Sequence, residues 1–133
     1  MNYKRVFLAV NNPTYREALA DILKRIKGIK LLGKVGNGWE VVQLSAQLKP
    51  DIILIDYNLV GLNGIEAARA LKKQSNQVFI VVLLDEEEAQ FNDMDSSFGD
   101  WVYLAKDRVV EELPGLLAKI NNRALGGTIY PPS

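Results

Sequence analysis

A doubly wound α/β fold on a five-stranded parallel sheet is what this sequence predicts. Five short apolar runs, at residues 6–10, 29–35, 52–55, 78–84 and 101–104, alternate with amphipathic stretches, the rhythm of repeated strand-helix units. Two of the runs, 52–55 and 78–84, are almost wholly apolar, as a strand covered by helices on both faces must be. Those two belong inside the sheet. The length of 133 residues suits one domain with its own core.

The helices follow in order. Asn12 caps a first helix that starts at Pro13, where a missing amide hydrogen costs nothing. Ala18, Leu19, Ile22, Leu23 and Ile26 mark its inner face, and Gly28 ends it. A second helix spans residues 38–48 with Val41, Val42, Leu44 and Leu48 inward, and Lys49-Pro50 stops it. The third, residues 65–73, follows the loop Leu59-Val60-Gly61-Leu62-Asn63-Gly64. The fourth, about residues 86–94, has few apolar positions and ends in the turn at 96–99. The last lies between 109 and 124, with Pro114 in or near its first turn or bending it. Residues 1–125 are thus one domain, and 126–133, with two glycines and then two prolines, read as the start of an interdomain linker.

Composition narrows the chemistry. With no histidine and no cysteine, a serine-histidine or cysteine-histidine hydrolase and a thiolate metal site are excluded. The amino-terminal apolar run is too short for a signal peptide or a membrane span, so a cytoplasmic domain without membrane contact is expected. Sixteen basic residues balance sixteen acids, which argues against nucleic-acid binding by the domain as a whole. The signs are segregated, however. Eight Lys and Arg stand against two acids in residues 1–34, whereas residues 74–105 hold seven acids and no base.

In a doubly wound sheet, ligands sit beyond the carboxyl ends of the strands. There Asp56 follows Ile52-Ile53-Leu54-Ile55 and Lys106 follows the fifth run, and these two stand out as the strand-end pair of opposite charge.

Several segments carry a resemblance. Lys49-Pro50-Asp51-Ile52-Ile53-Leu54-Ile55-Asp56, Gly61-Leu62-Asn63-Gly64, Arg16-Glu17-Ala18-Leu19, Gly36-Asn37-Gly38, Tyr103-Leu104-Ala105-Lys106 and Leu125-Gly126-Gly127-Thr128-Ile129-Tyr130 together resemble the response-regulator receiver domain of the NarL/LuxR-type branch. The likeness covers nearly the whole chain without a gap. It implies the flavodoxin-like strand order 2-1-3-4-5, an order the general rule for such folds already illustrates with this family. It further implies a histidine kinase as phosphoryl donor, Asp56 as phosphoacceptor, Lys106 as phosphate or ion-pair partner, and Tyr103 as switch aromatic. An attached helix-turn-helix output domain and a homodimer are the other partners it implies.

The likeness fails where the family holds magnesium and phosphate. The acidic pair falls on Val10 and Asn11, or on Asn11 and Asn12 with a shift of one. The hydroxyl residue after the fourth strand is Leu84, which cannot bond a phosphoryl oxygen, and the usual loop proline is Val60. Asp56, Asn11 and Asn58 are the remaining metal-ligand candidates. Because Mg²⁺ takes hard oxygens with one or two carboxylates among them, weak or absent binding is expected. Glu86, Glu87 and Glu88 are candidate replacement acids, although acids at a helix start also answer to the helix dipole. Trp101, Phe91, Met94 and Phe98 make a candidate contact patch, with core packing as the competing account.

A degenerate pseudo-receiver working through protein contacts to control an attached DNA-binding domain is therefore expected. The alternative is a phosphoacceptor at Asp56 with weak metal support. A flavodoxin-like enzyme or nucleotide binder ranks last, since Asn11-Asn12-Pro13 stands where a phosphate-cradling glycine loop would be.

Overall fold

The computed structural model describes residues 3–91 and 101–126, with side chains for 3–88 and 101–120. The elements run β1 (Lys4–Ala9), α1 (Pro13–Lys24), β2 (Ile29–Val35), α2 (Gly38–Leu48), β3 (Ile52–Asp56), α3 (Gly64–Gln74), β4 (Phe79–Leu84), α4 (Glu86–Phe91), β5 (Trp101–Ala105), a 3₁₀ turn (Lys106–Arg108) and α5 (Val109–Gly126). The sheet is parallel with order β2-β1-β3-β4-β5, so the predicted fold class and strand order are both observed. Among the described residues no helix is long and apolar enough to cross a membrane.

Strand alternation sorts the core into two layers. Val6, Leu8, Ile52, Leu54, Val81 and Leu83 face Leu19 and Leu23 of α1 and Leu113 and Leu117 of α5. On the other face Phe7, Ala9, Ile53, Ile55, Ile80 and Val82 meet Val41 of α2 and Ala67, Ala68 and Leu71 of α3. Ile52, Ile53, Leu54 and Ile55 are each at most 1% exposed, and burying one such side chain stabilises the fold by about 2 kcal/mol. The apolar run around 52–55 is therefore continuous because both faces of β3 are covered.

The helix ends follow their capping residues. Asn12, Asn37 and Asn63 each accept the N–H three residues on, from Tyr15, Glu40 and Glu66. Glu66 returns a bond to the Asn63 N–H, completing a capping box. Lys49 adopts a left-handed conformation with φ 51°, since the ring of Pro50 disfavours continuing the right-handed helix.

Several expectations are corrected. Ala18 lies on the exposed side of α1, and Ala20 is buried instead. Leu44 is 36% exposed, because the inner stripe of α2 runs through Gly38, Val41 and Ser45 and leaves it at the edge. α1 stops at Lys24, short of Gly28, whose φ of +86° serves the turn into β2. Pro114, expected in or near the first turn of α5 or bending it, is the sixth residue of that helix, where it cannot donate to the carbonyl of Val110. α5 also extends through Gly126, one residue into the segment read as linker. The predicted end of the fourth helix at Met94, the turn at 96–99, Phe98 and residues 127–133 lie outside the described residues.

Candidate functional site

β1, β3, β4 and β5 all end on one rim, and their parallel register brings the candidates together. Asp56 pairs in register with Leu83, and Leu84 with Ala105. The Asp56 side chain is 1% exposed, yet it is well supplied with donors. Its Oδ1 lies 3.1 Å from Lys106 Nζ and accepts the Asn58 N–H at 3.1 Å, while Oδ2 accepts the Asn11 N–H at 3.2 Å. A buried carboxylate needs such donors to remain charged.

Lys106 has a second partner, Asp85 Oδ1 at 2.8 Å. The strand-end pair of opposite charge is thus a trio, and the sequence reading that singled out Asp56 and Lys106 alone is corrected. Asp56 closes β3 and Asp85 directly follows β4, so both carboxylates come from strand ends, but the pairing of Asp85 with Lys106 was not anticipated. Burial works to lower the pKa of the Lys106 ammonium, but its hydrogen bond to Asp85 and the charge of Asp56 outweigh it and hold the pKa above a lysine's ordinary value. Tyr15 supports this lysine from α1. Its hydroxyl donates to the Lys106 carbonyl at 2.9 Å, and its ring centroid lies 5.7 Å from Nζ. Burial, with the charges of Asp56, Asp107 and Asp85, pushes the Tyr15 hydroxyl up to about 12. Nothing in the spacing of the sequence marks Tyr15, because its partner is 91 residues away.

At the end of β1, positions 10 to 12 carry no carboxylate. Val10 is fully buried. The Asn11 amide donates through Nδ2 to the Asn58 carbonyl and accepts the Val60 N–H at 3.0 Å through Oδ1. Arg16 sends its guanidinium into the carbonyls of Val10, at 2.7 Å, and Asn11, at 3.3 Å. The Asn58 side chain turns outward to Glu88 and, at 3.4 Å, to Asp85, and Glu88 also accepts the Asp85 N–H at 2.7 Å. Leu84 is 3% exposed, packed in the core layer against α2 and α3. Of the three acids weighed as replacements, Glu88 approaches the rim through Asn58, while Glu86 and Glu87 are exposed.

Two loops hold the β1 side in place. The Gly38 N–H donates to the Val60 carbonyl at 2.9 Å, and Asn37 bridges Val60 as a short parallel pair. A Cβ on Gly38 would sit 1.9 Å from the Leu62 carbonyl oxygen, so only glycine permits that approach. Gly61, at φ +81°, lies against the Trp39 ring.

Mg²⁺ favours one or two carboxylates with carbonyl and water oxygens, but Asp56 is tied to Lys106 and the Asn58 carbonyl is capped by the Asn11 amide. Among the described residues no three His, Cys, Asp or Glu side chains group as a metal site. Tyr103 is half-buried, and its hydroxyl accepts the Trp101 indole N–H at 3.0 Å. Trp101 itself packs into the core layer with α2 and α3; Phe91 and Met94, its suggested companions, have no described side chains.

Comparison with known proteins agrees with this fold. The family profile described as response regulator receiver domain matches residues 6–118. The chain is similar to the transcriptional regulatory protein YxjL of Bacillus subtilis, with 34% identity over 82% of this chain and 50% of that protein. It is similar also to the nitrate/nitrite response regulator NarL of Escherichia coli K12, with 29% identity over 81% and 50%. The chain therefore spans about half the length of these relatives. Among solved structures, it resembles the response regulator domain of Thermotoga maritima CheB, with 27% identity, a TM-score of 0.65 and coverage of 91% and 96%. It also resembles the receiver domain of a Pseudomonas aeruginosa sensor histidine kinase bearing magnesium in its active-site cleft, with 25% identity, a TM-score of 0.70 and coverage of 90% and 98%.

Proposed function

The chain belongs to the response regulator receiver domain family, and from that premise we propose that it is a pseudo-receiver, regulating an attached DNA-binding domain through protein contacts with little dependence on phosphorylation. One observation carries the reading: the groups that would hold a cation and a phosphoryl group are replaced or already bonded to one another. Phosphoryl transfer to a carboxylate brings two anions together, so a cation must neutralise the charge that develops. Here Asn11 bonds Asn58, Arg16 is spent on backbone carbonyls, and Leu84 offers no hydroxyl. Lys106, the cation that would meet a phosphate, is already held by two carboxylates.

The retained Asp56–Lys106 contact favours a second reading, in which a histidine kinase still phosphorylates Asp56 with weak magnesium support. The two readings part in one experiment. The protein is incubated with magnesium and either acetyl phosphate or beryllofluoride, and intact mass and Trp39 fluorescence are followed. The pseudo-receiver gives no adduct and no change; a stable phosphoryl adduct that Asp56→Asn abolishes establishes the second reading. A DNA-binding output is supported by the likeness to NarL, a response regulator, and YxjL, a transcriptional regulatory protein, and full-length protein tests it through DNA binding with and without the phosphodonor.

A further inference from the structure

A net charge of zero hides a local excess at one end of the sheet. α1 starts beyond the carboxyl end of β1 and runs back, so it finishes where β1 and β2 begin. There Lys4 pairs in register with Ile29, and its N–H donates to the Gly28 carbonyl at 2.7 Å. Lys4, Lys24, Arg25, Lys27 and Lys30 gather at this corner, and none of them makes an ion pair among the described residues. All but Lys4 are exposed. Two acids at this end leave the corner positive: Asp51 accepts the Arg5 N–H, and Asp21 is a single exposed carboxylate one turn earlier on α1. α5 reaches the same end. It starts past the carboxyl end of β5 and packs Leu113, Leu117 and Ile120 into the layer it shares with α1. Its 18 residues span about 27 Å, whereas a six-residue strand such as β1 spans about 20 Å. Lys119 is exposed on its far half, and the sequence continues past Gly126 from this end.

We infer that this corner, with Lys119, is a contact for the phosphate backbone of duplex DNA, used together with the DNA-binding domain proposed above. It takes its setting from that reading. Three features select the partner. Unpaired lysines are point charges suited to phosphates, and neutralising phosphates releases counterions. Protein interfaces are instead poor in lysine and rich in aromatic side chains, whereas the exposed aromatic here, Tyr3, already has Lys30 Nζ 5.7 Å from its ring centroid. The exit of the chain is the third. An output domain attached past Gly126 hangs from the end that carries the corner, so a duplex held by that domain meets these cations at high effective concentration. At the other end of the strands, Glu86 and Glu87 are exposed after β4 and repel a duplex, which turns the basic end toward it. Phosphate contacts fix position and carry no base sequence, so the corner adds affinity for any duplex.

Fluorescence anisotropy with a short labelled duplex of random sequence tests the inference, on the 133-residue chain and on the full-length protein, from about 20 to about 300 mM NaCl. The chain alone should bind weakly at the lowest salt and release the duplex at the highest. Lys24→Glu/Lys27→Glu should lower full-length affinity about tenfold or more and flatten the slope of log K against log salt by about 2, the share of two phosphates. Arg69→Glu/Lys73→Glu, at exposed positions of α3, changes the net charge equally and should leave both nearly unmoved. Lys24→Gln/Lys27→Gln is a milder companion that should weaken binding in the same direction; circular dichroism verifies folding of each variant. A chain that binds no duplex at the lowest salt overturns the inference, as do an affinity and slope unmoved by the corner variant or moved equally by the α3 variant. So does a corner that binds vesicles of phosphatidylserine and phosphatidylcholine but no duplex. A full-length protein that binds no duplex, while the chain alone binds through Lys24 and Lys27, supports the corner and refutes the DNA-binding output instead.

Discussion

The two halves of the strand-end rim stand on one scaffold and have kept different things. On the β3–β5 side, Asp56, Lys106 and Asp85 form a charged trio with contacts of 3.1 and 2.8 Å. On the β1 side, the comparable space is filled by Val10, the Asn11 amide and the Arg16 guanidinium, bonded to backbone carbonyls and loop amides. The lesson is that the fold delivers geometry to the rim whatever stands there, while the chemistry depends on a few side chains that the fold does not require. Asn11 uses both ends of its amide, Nδ2 donating to the Asn58 carbonyl and Oδ1 accepting the Val60 N–H, and so clips two loop segments together.

That contrast can be broken from either side. The largest effect should come from Gly38→Ala, whose new methyl meets the Leu62 backbone at 1.9 Å. Separating the two loops that hold the β1 side should cost about 3 kcal/mol, read as a fall in the urea midpoint. Next comes Lys106→Met, which strands the Asp56 carboxylate with backbone donors only. Breaking a buried pair costs up to several kcal/mol, and Lys106 keeps 18% exposure, so a loss of about 2 kcal/mol is expected. Asp56→Asn in the same background should recover part of that loss, as a double-mutant cycle would reveal.

A sharper probe converts one half toward the other. Asn11→Asp removes the donor to the Asn58 carbonyl and places a second carboxylate beside Asp56, so without metal it should destabilise by about 1 kcal/mol. Millimolar magnesium should then raise the melting temperature of the variant and leave the parent unchanged. A parent whose melting temperature also rises with magnesium would refute the poverty of its donor set.

The smallest effect is alkaline. Tyr15 is raised from 10.0 to about 12, so between those values the unfolded chain has lost a proton that the folded chain keeps. Its contribution is complete below pH 10 and disappears as pH climbs toward 12. Lys106, also raised, adds a loss of the same sign above its ordinary value. The urea midpoint should therefore decline over this range, and less steeply in Tyr15→Phe.

How much of this was legible beforehand depends on the range of the interaction. The five strands, the Asn12 cap and the interior place of β3 and β4 could be read because apolar period and capping are local, set by neighbours within a few residues. The positions of Ala18 and Leu44 were misread because burial at a helix edge depends on what packs beside it. Asp56, Lys106, Asn11 and Asn58 were found by their place after strands, yet the partners each would choose were not. Asp85 joined Lys106 and Tyr15 reached its carbonyl only once β1, β4 and β5 were assembled.

By itself, then, the sequence determined the layered fold, the family likeness and which residue types follow each strand, since residue identity and periodicity are written along one dimension. Only the tertiary structure decided what those residues bond: that Asn11 clips Asn58 and Val60, that Arg16 caps two carbonyls, and that one lysine serves two aspartates. Hydrogen bonds and ion pairs act over about 3 Å, and which groups come that close is settled by how the strands align, as where Asn11 meets Asp56 from 45 residues away in the chain.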